Sequence, residues 1–161
     1  MAVVLAAMLT ATVFISPSYG QDVQFDGDTA NPGDWNDPAN WTGNMLPPPP
    51  DPGPEPMNVL TEVGSSFAGL LDATANMSGP LTNDTIWELR VGRGDSSVGV
   101  VNQTAGTWNT TGWSFVGVDG AGALADGTYN LAGNAVLNGG EAWFLGLGGG
   151  AGNSRGHMTI A

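Results

Sequence analysis

Cysteine is absent from the 161 residues, and so is lysine; three arginines and one histidine are the whole basic complement. Without cysteine there is no disulfide, no zinc thiolate cluster and no thiol redox chemistry, so stability has to come from packing and backbone ladders. Without lysine, fifteen Asp and Glu leave a net charge of −12. Eleven of those acids fall between Asp22 and Glu88, where no base offsets them until Arg90. Such a surface repels phosphate backbones and anionic lipid, which argues against nucleic-acid and peripheral membrane partners and leaves divalent cations as candidates. An apolar run of membrane-spanning length is missing too. The longest, residues 2–15, falls short of the roughly 20 residues needed to cross about 30 Å of hydrocarbon.

That run is followed by Ser-Pro-Ser-Tyr-Gly and Gln21. An uncharged apolar stretch with small residues at Ser18 and Gly20 reads as a secretory signal peptide over residues 1–20, which makes Gln21 the first mature residue and the protein secreted or displayed at the cell surface. Residues 21–46 form a polar, acidic segment containing Asp-Trp-Asn-Asp-Pro-Ala-Asn-Trp at 34–41. Residues 47–56 then carry seven prolines in ten positions. Proline lacks the donor that a sheet ladder needs, so this stretch reads as an extended loop or spacer.

From Met57 to Ala161 no helical stripe of useful length appears. Short apolar or β-branched runs are punctuated by Gly, Asn and Asp, the pattern of an all-β fold. The clearest self-similarity runs over 87–161. Trp87-Glu-Leu-Arg-Val-Gly92, Trp113-Ser-Phe-Val-Gly117 and Trp143-Phe-Leu-Gly146 read as three versions of one strand, and Gly99, Gly127 and Gly156 recur 28 and 29 residues apart. Three strands in about 28 residues make one coil of a β-solenoid. Each unit is too small to bury its own apolar face and must stack on the next, with Val, Leu, Phe and Trp ladders inside and glycines at the corners. A β-sandwich of hairpins is the alternative, but it does not account for the 28-residue period.

On these residues the chain resembles the bacterial parallel β-helix exoproteins of the autotransporter-associated β-strand repeat type and similar sorting-signal repeat proteins. The similarity is carried by Trp35 to Trp41 with Gly43 and Pro47, and by the repeated Val-Gly, Asn-Gln-Thr-Ala-Gly-Thr and Tyr-Asn-Leu-Ala-Gly runs. It implies a right-handed parallel β-helix at the cell surface or released from it, without an established activity. The sequence has fewer than three complete units by this count, and no sorting tail or membrane barrel.

Catalytic signatures are not found. Gly112-Trp-Ser114-Phe-Val-Gly117 has one residue too many for a nucleophile elbow. His157 is the sole histidine. Gly120, Gly122 and Ala125 match a phosphate-binding fingerprint, but a strand follows where a helix is required. The expectation is therefore a protein that is not an enzyme. For calcium, Asp26, Asp28, Asp34 and Asp37 bring four carboxylates into twelve residues, against the alternative of a solvated acidic loop. The run 149–154 partly matches a calcium nonapeptide, with Ser154 where the ligand carboxylate belongs. Arg93-Gly94-Asp95 spells an adhesion tripeptide in a loop where Gly and Asp are ordinary turn residues. Trp35 and Trp41 are either a platform for sugar rings or a cap over the open end of the solenoid.

The sequence reading is thus an exported structural or adhesive surface repeat protein. A carbohydrate-binding module, or a fragment of a polysaccharide-degrading β-helix, is the alternative, and a polysaccharide or cell-surface component is the expected partner. The last unit stops inside a strand at Ala161. The chain therefore reads as a piece of a longer repeat protein that self-associates when produced alone.

Overall fold

A computed structural model describes residues 23–27, 33–48, 60–81, 84–148 and 153–161. The expected leader and most of the proline stretch lie outside these residues. Within them the chain forms three parallel sheets, with strands numbered in chain order. The first sheet runs β1 (Val23–Phe25), β3 (Leu60–Ser65), β6 (Glu88–Arg93), β9 (Trp113–Val118) and β12 (Ala142–Leu147). The second, in spatial order, is β13 (Ser154–Ile160), β10 (Ala125–Leu131), β7 (Val98–Gln103), β4 (Asp72–Met77) and β2 (Gly33–Asp34). The third is β11 (Val136–Asn138), β8 (Thr107–Thr110) and β5 (Thr85–Ile86). Consecutive strands always lie in different sheets, and each strand pairs in parallel with its counterpart one coil away. This is a β-solenoid of three complete coils, flanked by β1 and β2 on one side and by β12 and β13 on the other. The β-sandwich alternative fails because its hairpins require antiparallel neighbours. Among the described residues, helix is limited to three short 3-10 turns.

The repeat period follows from the register. Val63, Val91, Val116 and Leu145 form one inward row at separations of 28, 25 and 29 residues. Gly99 pairs with Gly127 and Gly127 with Gly156, the alignment expected from their spacing. The repeat also begins earlier than residue 87: Leu60-Thr-Glu-Val lies in register with Glu88-Leu-Arg-Val.

The expected tryptophan repeat is corrected. Trp113 pairs with Ala142, whereas Trp143 pairs with Ser114. One residue of slip in a strand moves a side chain to the opposite face. Trp143 accordingly packs inward against the core, while Trp113 lies on the outer face and is 48 % exposed. Phe115 and Phe144, two strand positions from Trp113 and Ala142, share that outer face. The inner ladders are built mainly of valine, leucine and alanine.

The glycines explain the pinched corner between the first two sheets. A Cβ on Gly92 would lie 2.1 Å from the Asp126 carbonyl oxygen, and one on Gly127 would lie 2.3 Å from the Gly92-equivalent amide of Gly117. Gly92 also sits at φ +66°, where a side chain is strained. Here the two backbones touch directly, so residues 92 and 127 must be glycine. Farther from this corner the sheets diverge, and the space is filled by rings. Trp35 lies 4.3 Å from Trp108, Trp108 is 6.3 Å from Tyr129, and Tyr129 is 5.5 Å from Trp143, centroid to centroid. The result is an aromatic spine along the inside of the stack.

One polar network threads that core. The Tyr129 hydroxyl donates to Gln103 Oε1 at 2.7 Å, and the Gln103 amide donates to the carbonyls of Gly106 and Val136 at 3.1 and 3.0 Å. Burial holds the Tyr129 hydroxyl well above its ordinary pKa. On the outside of the second sheet, Asn130 donates to Asn102 and Asn102 to Asn76, each at 2.9 Å. A carboxamide carries both donor and acceptor, so a column of them along the coil axis satisfies itself.

Candidate functional site

Trp35 and Trp41 are each 1 % exposed. Their rings meet edge to face at 4.5 Å, Phe25 packs on Trp41 at 5.0 Å, and Trp41 Nε1 donates to the Trp35 carbonyl at 2.8 Å. Rings enclosed in this way present no face to a sugar. Of the two readings of Trp35 and Trp41, their burial fits the cap over the end of the solenoid, and they lie at the N-terminal end of the aromatic spine.

Of the four candidate calcium ligands, Asp28 lies outside the described residues. Asp34 Oδ1 accepts from the Asn36 amide and Asp37 Oδ1 from the Ala39 amide, both at 2.9 Å, as in ordinary Asx turns. Among the described residues no three acidic or histidine side chains converge on a point that could hold a metal ion. Most of the run 149–154 is likewise outside the described residues.

The adhesion tripeptide is tied up within the fold. Arg93 reaches back to Glu62 and forward to Asp119, with Nε at 3.1 Å from Asp119 Oδ2. Burial opposes its charge, but the hydrogen bonds and charges of Glu62 and Asp119 outweigh that and hold the guanidinium above its ordinary pKa. Asp95 Oδ1 accepts from the amides of Ala121, Gly122 and Ala123 at 2.7, 2.9 and 3.1 Å. The glycine loop that resembles a phosphate fingerprint thus does hold an anion, the carboxylate of the preceding coil. His157 is exposed on β13 opposite Thr128. Ser114 is fully buried, with no hydrogen-bond partner for its hydroxyl, and has no base to activate it.

What sequence reasoning missed lies on the outer face of the first sheet. Trp87, Glu88, Arg90, Trp113, Phe115 and Glu141 line an open groove of about 380 Å³. A bare glycine seats one of its walls. Trp87, Gly112 and Glu141 occupy the same corner in successive coils: the Gly112 amide donates to the Trp87 carbonyl at 2.7 Å, and the Glu141 amide donates to the Gly112 carbonyl at 3.1 Å. The Trp87 indole lies over the bare Gly112, where a Cβ would come within 2.8 Å of Nε1.

The walls are aromatic and the polar groups are unevenly engaged. Phe115 stacks on Phe144 with centroids 5.1 Å apart, and Trp113 meets both edge to face at 6.2 and 6.0 Å. The Arg90 guanidinium sits 5.3 Å above Phe115 and is neutralised by Glu88 at 2.5 Å, with Asp119 at 3.6 Å. The Glu141 carboxylate, by contrast, has no hydrogen bond or ion pair within the described chain. The signal for this site was present in the sequence as the three repeat tryptophans; what hid it was the register that sends Trp113 outward and Trp143 inward.

Comparison with protein-family models, with curated proteins and with solved structures gave no match. No helix among the described residues is long and apolar enough to cross a membrane.

Proposed function

We propose that this chain is an exported structural or adhesive repeat protein that binds at the cell surface or outside the cell and does not catalyse a reaction. The observation that carries the reading is the outward cluster of Trp113, Phe115 and Phe144 beside the groove. A solenoid holds such side chains on a rigid backbone, and Trp113, a ring that a stable core would have used, is instead half exposed over the buried Phe115, as aromatic residues are at interaction surfaces. The leader over residues 1–20 and the kinship with autotransporter-associated repeat proteins belong to the same proposal.

The test is to produce the tagged protein in its natural host and fractionate the cells. The expected product is in the surface or medium fraction and begins at Gln21 by mass spectrometry. An intact Met1 recovered only from cytosol overturns the exported reading.

A further inference from the structure

We infer that the groove between Trp87, Trp113 and Glu141 is a binding site for a neutral pyranose glycan, a ligand class that rests on the binding reading above and narrows it. The groove brings the Trp87 and Trp113 indoles together with the exposed carboxylate of Glu141. Flat aromatic faces match the C–H face of a pyranose ring, and a carboxylate accepts hydrogen bonds from adjacent hydroxyls. Its volume of about 380 Å³ is near the lower bound of small-ligand sites, roughly 300 to 1,000 Å³. That suits one or two sugar rings entering from an open side.

Charge decides against an anionic ligand for this aromatic groove. An anionic glycan needs a free cation, and the groove's one cation, Arg90, is neutralised by Glu88 and Asp119 on a chain of net charge −12. A cationic ligand finds Phe115 already covered by Arg90; it competes with a sugar for Trp113 and Glu141, and tetramethylammonium tests that alternative. What remains available is the half-exposed Trp113 ring, the Trp87 indole and the unpaired Glu141 carboxylate. These offer stacking surface and hydrogen-bond acceptors, which is what a neutral sugar can use. Gly112 acts as a positioning residue, since a methyl there would displace the Trp87 indole from its seat.

The test is calorimetry and tryptophan fluorescence on the full chain with cellohexaose, xylohexaose and mannohexaose, alongside hexagalacturonate and tetramethylammonium. Saturable binding of at least one neutral hexasaccharide is expected, with a change in tryptophan emission. Hexagalacturonate should bind at least about tenfold more weakly, a difference of about 1.4 kcal/mol. Trp113→Ala should weaken the neutral sugar by about tenfold or more and Glu141→Gln by a few-fold, both with an unchanged β-sheet circular-dichroism spectrum. Gly112→Ala should weaken binding while Trp113 stays in place.

Three outcomes overturn the inference: no neutral sugar bound at millimolar concentration by the folded chain, binding unaffected by both Trp113→Ala and Glu141→Gln, or tetramethylammonium bound in preference to the sugars. Release of reducing ends from a bound hexasaccharide would instead overturn the non-catalytic reading and leave the groove as a sugar site. Cell fractionation tests export separately.

Discussion

At the N-terminal end of the solenoid the inward rows close on Phe25, Trp35 and Trp41, all sealed from solvent. At the other end the same rows finish on Leu145 and Ile160, which are 51 % and 74 % exposed. The row Met77, Gln103, Leu131 and Ile160 makes the contrast within a single ladder. Its polar member, Gln103, is fully buried, while the isoleucine two coils later is the most exposed large hydrophobic of the described residues. Burial in a solenoid is therefore set by position in the stack rather than by residue type. A coil becomes interior only when another lies on each side of it.

The comparison is broken most directly by truncating side chains at the two ends and in the middle. Trp108→Ala and Trp35→Ala should each cost about 3 to 5 kcal/mol of unfolding free energy, the usual range for deleting a buried aromatic whose cavity cannot collapse. Leu145→Ala, at the open end, should cost less than about 1 kcal/mol, because much of that side chain is already in water. Urea unfolding followed by circular dichroism measures all three. Equal costs for Leu145 and Trp35 would mean that the two ends are sealed alike.

A smaller effect is expected at Gln103, where the core holds a polar side chain that a hydrophobe of similar size could replace. Gln103→Leu strands the Tyr129 hydroxyl in a dry interior and removes the donor to two part-buried backbone carbonyls. Leaving buried polar groups unpaired costs about 1 to 3 kcal/mol, so the leucine variant should be less stable in spite of its greater hydrophobicity. The double variant with Tyr129→Phe should lose less than the sum of the two single losses, since the hydroxyl is then gone. An equally or more stable Gln103→Leu protein would show that the network contributes nothing.

How much of this was legible in the sequence can be judged from particular residues. Gly99, Gly127 and Gly156 announced the period and gave the correct register, because a glycine forced by backbone contact cannot drift. The tryptophans misled because they are tied to the corner rather than to one register: Trp87 precedes its strand, Trp113 begins one outward, and Trp143 sits one place further on, inward. The first complete coil was masked because Ala73 stands opposite Gly99 and breaks the glycine row. Of the groove, only the tryptophans were legible. It depends on Gly112 falling between Trp87 and Glu141 in three dimensions, and no spacing rule marks an absent side chain as a site.

The open end makes a prediction about association that leaves stability almost untouched. Leu145→Ser and Ile160→Ser, singly or together, should change the unfolding free energy by no more than about 0.5 kcal/mol each, as exposed positions usually do. They should still shift the sedimentation profile toward monomer, because they remove apolar surface beside the unpaired edges of β12 and β13. An unchanged profile in the double variant would place any self-association elsewhere, with the outer aromatic cluster around Trp113 as the next surface to alter.

The smallest effect is expected where one coil holds the loop of the next. Asp95 lies in solvent, yet the three amides of Ala121, Gly122 and Ala123 stabilise its charged form and hold its carboxyl below the ordinary carboxylate value. A carboxyl with a lower pKa folded than unfolded adds stability that is fully present above the unfolded value. That stability fades as pH falls through the lower, folded one. Asp95→Asn keeps an oxygen that can accept from the loop but removes the charge. The parent should therefore melt slightly above the variant at pH 7, and the gap should close on acidification below about pH 3.9, the unperturbed aspartate value. Melting curves of both proteins between pH 7 and pH 2 measure this. A gap that persists undiminished at pH 2 would mean that the asparagine disturbs the loop sterically, and no gap at pH 7 would mean that water serves the three amides as well as the carboxylate does.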